Sequence, residues 1–504
     1  MKRKLIYIAL ILTTVILLTS CDFEFKFGIL SSTTTTVAST TPSISDPSTT
    51  ATKEVNPTSL PTSTITSATE LGPIAAEKVK FNDYLLKNGP LTQDVLPSIG
   101  SPKVLVIPVN LDNANATQNA LNEINIAFNG TEEETGFESV KSYYYESSYG
   151  TLDLQFDVVN EWFTPKYDKN YYDNYSDDTY QYGSDLILRE ALAHYDSYYN
   201  MNDYDYDSNG YIDGVWLIYN CAVDYDGVSN IYWAFVSWDY TDYTYDGIYA
   251  NSYGFAGIDF MHPTPEEAGS YDPTGIKVDA HTFIHETGHM LGLDDYYDYD
   301  ENVGPTGGLY CADMMDGNIG DHGMISKLLL GWVTPTVVTG SGTITLDLKS
   351  FSSTGEFLLI ANHDVHTIYD EYFLIELYAN DGLNKRDGQI TDPYSIKDAL
   401  GIRIIHVDAS INYDKNGKVT YNSGDYMTGF KYDNSDEAGL FCNMLSPEPF
   451  DYYAYQENLY TKFTDVFGID DYTDYMLHDG TTLFFSLEIN SITKENANLS
   501  ITIK

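Results

Sequence analysis

At 504 residues the chain has room for two or three domains and a large core, and its formal charge of −48 makes nucleic acid and anionic lipid surfaces poor partners. Its four cysteines exclude a disulfide scaffold, because beyond Cys21 only Cys221, Cys311 and Cys442 remain, enough for one bridge and a spare thiol. Much of the acidity is interleaved with tyrosine, 45 in all, which reads as a solvated, calcium-tolerant exterior.

Lys2, Arg3 and Lys4 precede the apolar run Leu5 to Leu18, short for a membrane span and suited to the h-region of a signal peptide. Leu18-Thr19-Ser20-Cys21 is similar to a bacterial lipobox, in which the cysteine is diacylated and becomes the new N-terminus. A plain secretory signal is the milder alternative. Loss of residues 1–20, with their three cations, takes the formal charge from −48 to −51. The expectation is an exported chain held at the outer face of a bacterial membrane through a lipid on Cys21 and nothing else. Residues 21–78 are then a stalk: 31–70 are mostly Ser and Thr with scattered Pro, too polar to offset the chain entropy of folding. Residues 71–100 read either as a small pro-segment or as the end of the tether.

The ordered part begins with the apolar run Lys103 to Val109, a buried strand. Helical periodicity follows at 115–128 and 137–148, and Leu152, Leu154, Phe156 and Val158 alternate as a half-buried strand. A helix is expected at 184–199 with Ser184 as its cap, and strands at 214–221, 231–239 and 247–254. Between them, Asp205-Tyr206-Asp207-Ser208-Asn209-Gly210-Tyr211-Ile212-Asp213 matches the first nine positions of a calcium loop. Asp205, Asp207, Asn209 and Asp213 are its candidate ligands. Trp216 stands where such a loop closes with glutamate, and the alternative is a polar turn leading into a strand.

The next helix, with Asp279 placed to cap it, carries His285-Glu286-Thr287-Gly288-His289. Residues four apart on an α-helix are separated by about 400°, so both imidazoles leave one face and can share a metal ion, with Glu286 beside it. A zinc ion that activates water needs a third protein ligand. Gly292 can turn the chain in a left-handed conformation and carry Asp295 back to the same ion, giving H-E-x-x-H-x-x-G-x-x-D. This spacing resembles the long zinc signature of the metzincin clan, with aspartate where most members have a third histidine. His281, one turn upstream, is a decoy on the same face, and Asp294 competes with Asp295. Metzincins place a methionine turn under the metal about twenty residues further on, and Met315-Asp316-Gly317 is the match here. From about 338 the pattern changes to short alternating strands, among them 343–348, 372–377, 401–407 and 481–489, so the chain is read as α+β followed by an all-β, sandwich-like domain.

In this order the chain resembles the immune-inhibitor-A family of secreted bacterial zinc endopeptidases. The matching residues are Ser139 to Tyr144 running to Ser148-Tyr149-Gly150, the loop 205–213, the metal signature into Asp295-Tyr296-Tyr297-Asp298, Leu330-Gly331-Trp332, Tyr372 to Glu376 and Gly401 to Asp408. The family often reads Leu-Pro-Asp where this chain has Leu293-Asp294-Asp295. The resemblance implies a metzincin-like catalytic domain at 79–335, a twisted mixed sheet with packed helices, and a C-terminal β domain at 336–504. It implies Zn2+ held by His285, His289 and Asp295, with Glu286 as general base, Met315 in the methionine turn, and protein or peptide substrates cut by a monomer. Two alternatives stand beside it: a third ligand from Glu301 in a gluzincin-like site, and a catalytically dead protease fold serving as a surface adhesin or binding lipoprotein.

Overall fold

The first two strands of the chain belong to different sheets. β1 (Ala75–Lys78) runs antiparallel to β9 (Thr336–Thr339) at the edge of a distal sheet, whereas β2 (Lys103–Val109) lies inside the sheet on which the helix of His285 and His289 packs. Ala75–Lys78 was expected to be stalk; its backbone instead pairs with an edge that forms some 260 residues later, which no local composition reports. The computed structural model describes residues 72–81, 95–175, 182–264 (apart from 226, 240 and 242), 274–297, 308–365 (apart from 310, 311 and 317–319), 367–389, 399–409, 440–445 and 477–504 (apart from 479), with backbone pairs at 424–425, 430–431 and 466–467. The segment with the signal run, Cys21 and the Ser/Thr stretch lies outside them. No helix among the described residues is long and apolar enough to cross a membrane.

In the first sheet the order is β3 (Gln155–Val158), β2, β4 (Val215–Tyr219), β8 (Ser252–Gly257) and β5 (Phe235–Trp238). The first four are parallel, and β5 closes one edge antiparallel to β8. β6 (Thr244–Tyr245) and β7 (Ile248–Tyr249) form a short hairpin between β5 and β8 in sequence. β2 and β4 are apolar along almost their whole length because helices and loops cover both of their faces. Five helices matter for the site: α1 (Gln118–Asn129), α2 (Val140–Ser147), α3 (Gly183–Tyr195), α4 (His281–Met290) and α5 (Met324–Leu329). α4 packs on β8, β5 and α2. Phe128 of α1, Trp216 of β4 and Phe283 of α4 meet edge-on or tilted with ring centroids 5.5–5.7 Å apart, and all three are fully buried. That triangle fixes the height of α4 over the sheet; truncating Phe283 to alanine would cost about 3–5 kcal/mol.

Two predicted caps differ in detail. Tyr182, not Ser184, is the N-cap of α3, because Asp185 Oδ2 reaches back to the Tyr182 N–H at 2.7 Å while Ser184 is buried against the Tyr253 hydroxyl. Ala280 occupies the N-cap of α4, and Asp279 accepts from the His281 N–H at 2.9 Å, serving the same helix end from one residue further out.

The second half builds two sheets. One has the order β1, β9, β11 (Leu358–Ile360), β12 (Glu371–Ala379), β13 (Leu400–Asp408) and β16 (Cys442–Met444), antiparallel except where β9 and β11 run together. The other is β10 (Gly342–Lys349), β19 (Asn496–Ile503), β18 (Phe485–Ile492) and β17 (466–467), all antiparallel. The two-residue β14 (424–425) and β15 (430–431) pair separately. Phe373, Ile375 and Leu377 of β12 and Ile402 and Ile404 of β13 pack on Phe485, Leu487, Leu499 and Ile501 of the other sheet. The opposite face of the same strands, with Tyr372, Leu374, Ile405 and Val407, joins the core of the first half. The six-stranded sheet is therefore a central layer, and Leu71–Lys504 forms one compact α+β unit.

Polar side chains cross the seam between the halves. Lys327 Nζ, fully buried on α5, meets Asp321 Oδ2 at 2.6 Å and lies over the rings of Tyr149 and Phe351. Ser147 and Ser352 donate to the same Asp321 carboxylate. Arg403 and Glu376, on facing positions of β13 and β12, form a second buried pair at 2.9 Å.

Candidate metal centre

α4 ends as its sequence demands. The N–H of Gly292 bonds to His289 O and that of Leu293 to Gly288 O, with Gly292 left-handed at φ 93°. The chain then doubles back and brings Asp295 over the two imidazoles. His285 Nε2 and His289 Nε2 lie 3.2 and 3.4 Å from Asp295 Oδ1, and the three donor atoms all fall within 4.8 Å of one another. Asp295, not Asp294, completes the group, and His281 takes no part in it. Cys21 and Glu301 lie outside the described residues.

Each imidazole is oriented from behind. His285 Nδ1 donates to Met314 O at 2.9 Å and His289 Nδ1 to Leu293 O at 2.8 Å. A carbonyl oxygen only accepts, so each Nδ1 carries a proton and each Nε2 faces the centre. The third group is oriented too: the Tyr297 hydroxyl donates to Asp295 Oδ2 at 2.8 Å, which turns Oδ1 inward. Two imidazole nitrogens and one carboxylate oxygen converging on a point become, once the imidazoles give up their Nε2 protons, a donor set suited to a divalent metal ion. Glu286, one residue from His285, is 8 % exposed. Burial raises its carboxyl pKa, and the two histidines pull it partly back. In the metal-free site burial opposes charging His289, but the Asp295 carboxylate wins and lifts it to about 10. The reciprocal effect holds Asp295 far below the usual carboxylate range despite its burial.

Met314 and Met315 form the short turn beneath the helix. Met314 supplies the carbonyl that holds His285, while Met315, fully buried, packs at Gly288: a β-carbon built there would stand 2.5 Å from Met315 Sδ. Asp313 fixes the turn, accepting from the N–H of Met315 at 2.9 Å with one oxygen and from Gly323 N–H and Ser326 Oγ at 2.7 Å with the other. Tyr144 donates to Ile284 O at 2.7 Å on the same turn of α4 as His285. The roles of Asp313, Met314 and Tyr297 went unread in the sequence. Tyr297 offered the one available signal, an aromatic hydroxyl two residues past Asp295.

At the second predicted site, Asp205, Asp207 and Asp213 bring carboxylate oxygens within 4.8 Å of one another. Asn209 Oδ1 accepts from Tyr211 N–H at 2.9 Å, and its Nδ2 donates to Asp207 Oδ2 at 3.3 Å. The loop is wrapped by its own backbone: Asn209 N–H and Gly210 N–H donate to the two oxygens of Asp205, and Tyr206 N–H to Asp213 Oδ2. No family model matches the chain, and no curated protein matches it.

Proposed function

We propose that the chain is a zinc-dependent endopeptidase with a metzincin-like catalytic half, of the immune-inhibitor-A type that its sequence resembles. The observation that carries this is the convergence of His285 Nε2, His289 Nε2 and Asp295 Oδ1, each oriented by an outward hydrogen bond, beside a buried glutamate. A bound zinc ion there supplies Lewis-acid activation of a water near neutral pH and charge stabilisation at a carbonyl oxygen. Glu286 takes the proton of the attacking water on its carboxylate and returns it to the nitrogen of the departing amine; burial brings that carboxyl nearer to working pH. Among the described residues β5 pairs with β8 alone, so its outer edge can hydrogen-bond an extended peptide alongside α4. The intact Glu286 weighs against a binding lipoprotein on a dead protease fold.

The test is cleavage of an unstructured protein by the purified full chain, with a chelator and with zinc restored. Loss and recovery support the reading; cleavage indifferent to the chelator refutes it. Attachment through Cys21 belongs to the same proposal, and Cys21→Ala should move the protein from the membrane fraction to the soluble one. The loop at Asp205, Asp207 and Asp213 is proposed to bind calcium, which would raise the melting temperature of the wild type but not of Asp207→Ala.

A further inference from the structure

Two of the three inward-facing donors are secured by the main chain, through Met314 O and Leu293 O. The third is secured by a side chain. It is also the donor that most needs orienting, since an imidazole offers one lone pair to the centre whereas a carboxylate can present either oxygen or both. The Tyr297 hydroxyl, 2.8 Å from Asp295 Oδ2, occupies one of those two oxygens and leaves Oδ1 for the histidines' side.

Tyr297 is itself braced. Its backbone bridges Gly308, and Gly308 is tied to the six-stranded sheet through Met444 N–H to Gly308 O at 3.0 Å and Gly308 N–H to Asn443 Oδ1 at 3.3 Å. The preceding residue, Tyr296, donates its N–H to Met315 O at 3.0 Å. Asp295 to Tyr297 is thus held between the methionine turn and the edge strand β16, which places the phenol independently of the carboxylate that it meets.

Resting on the metal centre proposed above, we infer that Tyr297 is a positioning residue that confines Asp295 to one-oxygen ligation and so preserves an open position on the ion. Without the hydroxyl, Oδ2 loses the bond that turns it from the centre and can join Oδ1, so the coordination number rises and the geometry that favours tight zinc binding is lost.

The experiment compares full-chain wild type, Tyr297→Phe and His289→Ala, each titrated with Co2+ and Zn2+ against a chromophoric chelator, with the visible Co2+ spectrum and the metal-free melting curve recorded. The expected result for Tyr297→Phe is a Kd for zinc raised about tenfold or more, a weakened visible Co2+ band reporting a higher coordination number, and an unchanged metal-free melt. An unchanged Kd and spectrum overturn the proposal, as does a lowered metal-free melt with Kd unchanged, which marks Tyr297 as structural only. A wild type that binds Co2+ no better than His289→Ala overturns the metal centre itself, and this proposal with it.

Discussion

Gly288 stands between the two imidazoles inside α4, where chain propensity and packing pull in opposite directions. At an exposed helical position, Gly→Ala stabilises by about 1 kcal/mol. Here the new methyl would lie 2.5 Å from Met315 Sδ and 3.2 Å from its Cε, inside the ~3.5–4 Å of an ordinary carbon contact. Met315 has little room to retreat: it is fully buried, its N–H is held by Asp313 and its carbonyl by Tyr296. The Tyr144 hydroxyl, 3.4 Å from the same point, is committed to Ile284 O. Overpacking costs about 1–3 kcal/mol, so after the propensity gain Gly288→Ala should be destabilising by about 1 kcal/mol. Urea denaturation of the metal-free chain measures this, and Gly288→Ala/Met315→Ala measures its cause. The double variant should recover about 1–2 kcal/mol relative to the sum of the single ones, since the added methyl enters the space that Met315 leaves. A Gly288→Ala variant more stable than wild type would refute the packing of Met315 beneath α4.

Lys327→Ala strands the buried Asp321 carboxylate and should cost about 3–5 kcal/mol in urea denaturation; a loss under about 1 kcal/mol would mean water reaches that seam. Asp313→Ala leaves the N–H groups of Met315 and Gly323 without their acceptor, and should lower stability by at least about 2 kcal/mol while weakening zinc binding as His285 loses its fixed carbonyl. In the metal-free fold His289 is raised from 6.5 to about 10, so the stability this supplies is complete below pH 6.5 and is lost as pH climbs toward 10. Chelated protein should therefore melt at progressively lower temperature across that window, and a flat profile would contradict the Asp295–His289 pairing.

Local pattern carried much of this fold. The run at 103–109 is the strand Lys103–Val109, and the helix of His285 and His289, its Gly292 turn and the return of Asp295 follow from spacing, because each depends on bonds within a dozen residues. Strand β1 was missed because its partner β9 lies some 260 residues further along the chain. The helix expected to reach residue 199 stops at Tyr195, with Tyr198 and Tyr199 already in the turn that follows. The double burial of β12 and β13 blurred their alternation and hid that they form a middle layer, with Glu376 and Arg403 paired on the face toward the first half. In the site the convergence of His285, His289 and Asp295 was legible and its supports were not: a backbone acceptor such as Met314 O carries no residue signature, and Asp313 looks like any acidic residue until Met315, Gly323 and Ser326 are seen to converge on it.

Glu286→Ala tests the central claim most directly, since it removes the proposed proton carrier and leaves His285, His289 and Asp295 in place. Measured together, bound zinc and cleavage of an unstructured protein should separate in this variant: one zinc per chain as in the wild type, and no hydrolysis. His289→Ala should lose both. Cleavage persisting in Glu286→Ala, or full zinc in His289→Ala, would contradict the account.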